Sequence, residues 1–137
     1  MVIRRETGAV LLHEMEGRTL TVPLVIELDY DPARPWAVAA VFHGGPDEPV
    51  RWEFSRDVLW SGMTAATGEG DVRISPEEEQ GWGIRMDITS PFGEASFLLP
   101  KQCVKSFLDR TFEAVPQGLE SIDWDRELAA LLEGEDG

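Results

Sequence analysis

The sequence is poor in the residues that build covalent and metal chemistry. One cysteine, Cys103, stands among 137 residues, so an intramolecular disulfide is excluded and a reducing compartment is the natural setting. The two histidines, His13 and His43, have no further His or Cys at ligand spacing, which argues against zinc. Basic residues are scarce too, 12 against 26 acids for a net charge of −14. Arg4-Arg5 is the one adjacent basic pair, so no stripe can neutralise several phosphates, and nucleic acid and anionic lipid are poor partners. Long apolar runs are missing as well. None approaches the roughly 20 residues of a membrane span, and Met1 to Leu12 lacks the apolar stretch of a secretory signal, so a cytoplasmic protein with no direct membrane insertion is expected.

What is present fits a single domain over 1–137, long enough to bury roughly two thirds of its unfolded surface. Residues 113–137 carry eight acids and one base, half of the net charge, which marks an acidic C-terminal helix and tail from about 119. β-Branched and leucine-rich runs at Ala9 to Glu14 and Thr19 to Leu28 flank Glu16-Gly17-Arg18 and predict a hairpin. Pro23 places the second run at an edge or a bulge. After the rigid turn Asp31 to Pro35, Trp36 to His43 is apolar on both alternating faces, as in a strand at the centre of a sheet. Val50/Trp52/Phe54, Val72/Ile74, Ile84/Met86/Ile88 and Ala95/Phe97/Leu99 follow period two.

Ser55 is suited to cap a short helix ending near Gly62 in the left-handed position. Val104, Phe107, Leu108, Thr111 and Val115 form one helical stripe that Pro116 and Gly118 stop. Asp123 caps a last helix with Trp124, Leu128, Leu131 and Leu132 on one face. The order predicts an α+β domain: an antiparallel, barrel-like sheet of about seven strands, one inserted helix and two C-terminal helices.

No nucleophile–base pair, metal cluster or phosphate cradle assembles from these residues. Thr67-Gly68-Glu69-Gly70-Asp71 is glycine-rich but lacks the P-loop lysine, and its glycines read as turn devices. Cys103, beside an apolar helix face, reads as a small hydrophobe. Trp36, Trp52 and Trp124 lie on apolar faces and read as core. Trp60, near the end of the short helix, and Trp82, in Gly81-Trp82-Gly83 beside the acidic loop from Pro76, are less well explained by packing. These two are the candidate protein-contact residues, since exposed aromatics anchor interfaces.

Five phrases recur in fixed order. They are Tyr30-Asp31-Pro32 through Trp36-Ala37-Val38 to Phe42-His43; Trp52-Glu53-Phe54-Ser55-Arg56-Asp57-Val58-Leu59; Thr67 to Pro76; Ser90-Pro91-Phe92-Gly93-Glu94-Ala95; and Phe107-Leu108-Asp109-Arg110-Thr111 followed by Val115-Pro116-Gln117-Gly118. This pattern resembles the SsgA-like sporulation-specific cell-division proteins of actinobacteria. The resemblance implies a Whirly-like fold, a homotrimer, and a non-enzymatic, cofactor-free adaptor in septum placement or septal and spore-wall remodelling. It implies FtsZ as partner, directly or through a membrane-tethered septal protein, and action at division septa. The alternative is a Whirly-like single-stranded nucleic-acid binder.

Overall fold

A computed structural model describes residues 1–44, 49–77, 81–91 and 93–120, together with Leu131. The described chain forms one antiparallel sheet and two helices. The elements are β1 (Ile3–Met15), β2 (Arg18–Tyr30), β3 (Ala37–His43), β4 (Val50–Ser55), α1 (Arg56–Ser61), β5 (Thr67–Glu69), β6 (Val72–Pro76), β7 (Gly83–Ser90), β8 (Gly93–Pro100) and α2 (Lys101–Ala114). The sheet runs β4-β3-β2-β1-β8-β7-β6-β5. Eight strands therefore stand where about seven are expected. The additional one is β5, inside the glycine-rich phrase: Thr67 pairs with Ile74 and Glu69 with Val72, so only Gly70 and Asp71 make the turn.

Two four-stranded meanders make up the sheet, and they meet along a short seam. β1 pairs with β8 only from Val10 opposite Leu98 to Leu12 opposite Ser96. α1 packs on β4 at one end of the sheet and on β5 and β6 at the other, which draws the sheet into a nearly closed barrel and covers both edges. The core lies inside that curl, with Ile26, Leu28, Val38, Leu59, Ile74, Ile84, Met86, Leu99 and the α2 side chains buried together.

Local chemistry explains most element ends. Glu16 and Gly17 both take positive φ, 48° and 79°, and Met15 faces Arg18, a two-residue turn whose twist matches the strands it joins. The β3 ladder reaches only Val25 on β2, so at Pro23 the strand is locally an edge, where a missing N–H is tolerated. Ser55 caps α1, accepting from the backbone N–H groups of Asp57 at 3.1 Å and Val58 at 3.4 Å. The stripe Val104, Phe107, Leu108, Thr111 and Val115 is buried as its spacing requires.

Two expectations need correction. β3 is not central but second from the end of the sheet. Both its faces are nevertheless buried, because Arg51 on β4 reaches Asp29 on β2 at 3.1 Å and so crosses over β3, laying its stem on Ala39 and Val41. Gly62 ends α1 with φ −67°, in the right-handed region. Glycine is required there by space: a Cβ would fall 2.3 Å from Ile74 Cγ2. The last helix, with its Asp123 cap and Trp124, lies outside the described residues apart from Leu131, which is helical and exposed.

Gly62→Ala should therefore lower stability by about 1–3 kcal/mol through overpacking against β6. Gly8→Ala, where an added Cβ meets nothing within 4 Å, should be neutral or stabilising by about 0.4–1 kcal/mol. Urea unfolding of the two variants checks the contrast.

Candidate protein-contact site

The described residues bring no catalytic constellation together. They contain no group of three His, Cys, Asp or Glu side chains placed to hold a metal. His43 Nε2 lies 4.0 Å from Glu27, and His13 sits on the projecting tip of the β1–β2 hairpin. Cys103 is half-buried and accepts a hydrogen bond from Arg5 at 3.6 Å. Its thiol is held below the ordinary value by a hydrogen bond from Thr7, against the opposing effect of burial, with Arg5 adding to the lowering. Cys103 thus ties β1 to α2 through polar contacts as well as packing.

The polar centre of the molecule is a residue that sequence reasoning passed over. Arg56, the first residue of α1, is only 1% exposed. Its Nη1 donates to the carbonyls of Thr111 at 3.1 Å and Val115 at 2.8 Å, and its Nη2 donates to Glu120 Oε1 at 2.7 Å. These are the end of α2 and the segment that leaves it: the Thr111 carbonyl also accepts from Val115 N at 2.9 Å, so the guanidinium adds a second donor there and supplies one to the Val115 carbonyl just past the helix. The ring of Tyr30 lies 4.9 Å from Arg56 Cζ and that of Phe112 4.5 Å from it, which places the cation between two aromatic rings. Tyr30 in turn donates from its hydroxyl to the Pro35 carbonyl at 2.9 Å. Burial raises the pKa of that phenol, while the Arg56 charge works the other way. One signal was available: Val50, Trp52, Phe54 and Arg56 share a parity, so extending the strand alternation two residues puts Arg56 on the core face.

The tryptophans divide differently from expectation. Trp36 is 62% exposed, not core. The chain is still in its turn there, since β3 starts at Ala37 and Pro35 is the buried member of the pair, so the strand alternation was extended one residue too far. Trp52 is half-buried against the core, and Trp124 lies outside the described residues. Trp60 is 37% exposed, with its ring edge-to-face on Phe112 at 5.3 Å. Trp82 is 44% exposed, and its carbonyl accepts from Lys101 N, at the start of α2. Trp60 and Trp82 are thus tied to opposite ends of α2, about 16 Å apart along a helix rising 1.5 Å per residue. The fold does not bring them into one patch.

Two further surfaces belong to the β1–β2 arm. On its core side the apolar row runs past the core: Leu24 and Leu11 are half-buried, then Val22 and Leu20, each 48% exposed, and Met15 stand in solvent. On its outer side, where β1 leaves β8 beyond Leu12, a trough of about 590 Å³ is lined by Val10, Leu12, Leu98, Trp82, Glu14 and Glu77 among others. Elsewhere several of the surface bases are paired with acids. Arg4 and Arg51 pair with Asp29, Arg34 with Glu53 through two bonds of 3.0 Å, Arg85 with Asp87, and Lys105 with Asp109. Such a surface gives no support to the nucleic-acid alternative.

The fold and surface define a class: a curled antiparallel α+β domain, strongly acidic, with aromatic and apolar side chains presented to solvent. The chain belongs to the SsgA family, described as the Streptomyces sporulation and cell division protein, whose model matches residues 24–120. It is 47% identical over 114 residues to the sporulation-specific cell division protein SsgB of Thermobifida fusca, covering 81% of this chain and 83% of that protein. Identity to SsgB of Streptomyces coelicolor is 44% over 115 residues, covering 82% and 84%. The crystal structure of an SsgA-like sporulation-specific cell division protein from Thermobifida fusca superposes with a TM-score of 0.80 at 43% identity, covering 95% of each chain.

Removing the buried cation should be costly. Arg56→Met takes the arginine donor from the Val115 carbonyl and the Glu120 carboxylate and one of two donors from the Thr111 carbonyl, with an expected loss of about 2–4 kcal/mol in urea unfolding at neutral pH. Glu120 is held below the usual carboxyl range first by its hydrogen bond from Arg56, with partial burial opposing. Because its folded pKa is the lower one, its contribution is complete above the unfolded value and is lost as pH falls through the folded value. The wild type should therefore lose more stability than Arg56→Met over that acid window.

Proposed function

We propose that this protein is a non-enzymatic regulator of sporulation-specific cell division. It acts as an adaptor in septum placement or in septal and spore-wall remodelling, in the cytoplasm at division septa. The observation that carries this reading is the family match over residues 24–120, a span that contains all five ordered phrases and every residue named around Arg56. No helix among the described residues is long and apolar enough to cross a membrane. A deletion strain tests the role: misplaced septa or defective spore walls are expected, with repair when the wild-type gene is returned. Normal septa and walls, with no septal protein recovered in a pull-down beside a charge-matched control, would overturn it.

FtsZ is the partner in this reading, engaged directly or through a membrane-tethered septal protein. Filaments of that kind are themselves expected to be acidic, so at a net charge of −14 long-range steering opposes encounter. Contact then rests on apolar anchors, for which Trp60 on its Phe112 support and Trp82 are the candidates. Co-sedimentation with polymerised FtsZ should strengthen as salt screens the repulsion. It should weaken about tenfold for Trp60→Ala that remains folded by circular dichroism. Binding that collapses with salt would reject the anchor mechanism.

We read the architecture as Whirly-like and the assembly as a homotrimer. Support comes from the arm: a row of apolar side chains continuous with the core, exposed at Met15, Leu20 and Val22, on strands whose outer edges carry no partner beyond Val25 and Leu12. Light scattering should give about three times the 15.3 kDa chain mass, and Val22→Glu should shift it to the monomer. A wild-type monomer at tens of micromolar, well above a Kd of about 1 μM, would overturn the assembly.

A further inference from the structure

We propose that the outer trough between the β1–β2 arm and β7–β8 is a docking channel for an extended partner segment in which apolar side chains alternate with lysine or arginine. The inference rests on the adaptor reading and assigns that reading a second surface, distinct from Trp60. The register supplies the floor. Val10 stands opposite Leu98, and Leu98 opposite Arg85, so these side chains share the face turned away from the core, with Leu12 the next on that face of β1. Glu14, Thr19 and Thr21 rise on the arm side, and Trp82 with Glu77 on the other.

Arg85 lines both this hollow, about 590 Å³, and a second of about 310 Å³. The apolar floor follows β1, where Val10 and Leu12 are two residues apart on one face, and this direction suits a strand-like ligand. Alternate side chains of an extended segment recur about 7 Å apart on one face, so one set can seat on Val10, Leu12 and Leu98 while the other reaches the rim.

Charge selects the occupant. The two hollows are lined by four carboxylates, Glu14, Glu77, Asp87 and Glu94, against two guanidiniums, Arg73 and Arg85. Arg85 is already held. Its Nε donates to Asp87 Oδ1 at 3.0 Å and its Nη2 to Ser96 Oγ at 3.3 Å, while Ser96 donates to the same Asp87 oxygen at 2.6 Å. Glu14 makes no ion pair among the described residues. The rim is therefore acidic over an apolar floor with an aromatic wall, complementary to a basic and apolar segment. A second copy, itself at −14, brings the wrong sign.

The probe is a short amidated peptide of alternating leucine and lysine, titrated into the full-length isotope-labelled protein. Chemical-shift changes should centre on Val10, Leu12, Leu98 and the Trp82 indole. Affinity should fall as salt increases, the reverse of the dependence argued for Trp60. A serine–lysine peptide of equal charge, and Thr21→Arg protein given the leucine–lysine peptide, should each bind about tenfold more weakly. Thr21 is exposed, so that variant keeps the fold. No binding, equal affinity for the serine–lysine peptide, an unaffected Thr21→Arg variant, or shifts centred on Trp60 or on Leu20 and Val22 would each overturn the channel. Because the peptide is synthetic, its failure leaves the septal role to be judged by the deletion strain.

Discussion

A buried guanidinium is the constraint around which this molecule closes. Arg56 begins α1, directly after β4 at one end of the sheet, and its three hydrogen bonds all go to the end of α2 and the segment beyond it, which follow from β8 in the other meander. The cation thus joins the two halves of the sheet at a point where their own seam is only three residue pairs long. A buried charge is tolerated only when its donors find partners. The carbonyls of Thr111 and Val115, the Glu120 carboxylate and two aromatic rings meet most of that requirement, with Nε alone buried and without a hydrogen-bond partner among the described residues. The side chains concerned come from four places in the sequence, so no one segment can shift without leaving the charge exposed to an apolar core.

Around this centre the acidic surface is organised more than its net charge suggests. Arg4, Arg34, Arg51, Arg85 and Lys105 are each paired with a carboxylate, and the Arg51–Asp29 pair also shields the small residues of β3. Beside the excess carboxylates, the surface presents apolar and aromatic groups: Trp36, Trp60, Trp82 and the face of the β1–β2 arm. In an acidic protein such groups discriminate by what surrounds them. An aromatic ringed by carboxylates favours a basic neighbour, whereas an apolar row with few charges favours a like surface.

Much of the fold was legible because it is written in local patterns. Period two at Val50 to Phe54 and Ile84 to Ile88, the helical stripe from Val104 to Val115, the Ser55 cap and the turn at Gly17 each rest on chemistry within a few residues. The misses share the opposite character. Gly62 looked like a φ glycine and is a contact glycine, which only the position of Ile74 reveals. Trp36 falls on the apolar parity of β3 but belongs to the turn before it. β5 is too short, and too rich in glycine, to carry a period. Arg56 was passed over as a site despite its parity with Phe54, because arginine beside a cap serine reads as solvated surface, and the groups that accept its hydrogen bonds lie more than fifty residues away. Of the two tryptophans singled out, exposure was legible, but their placement at opposite ends of α2 was not.

The short seam between β1 and β8 also bears on how the chain acquires its shape during synthesis. Within each meander every strand pairs with its neighbour in sequence, so both can form from nearby contacts, which close quickly. The seam instead joins Val10 to Leu98, and the lock waits for Val115 and Glu120. Until the last part of the chain has left the ribosome, the first meander carries one apolar face with nothing over it and an arginine with no acceptors. The contacts that make the protein a single unit are therefore those of longest sequence separation, and until they can form the first meander leaves apolar surface uncovered.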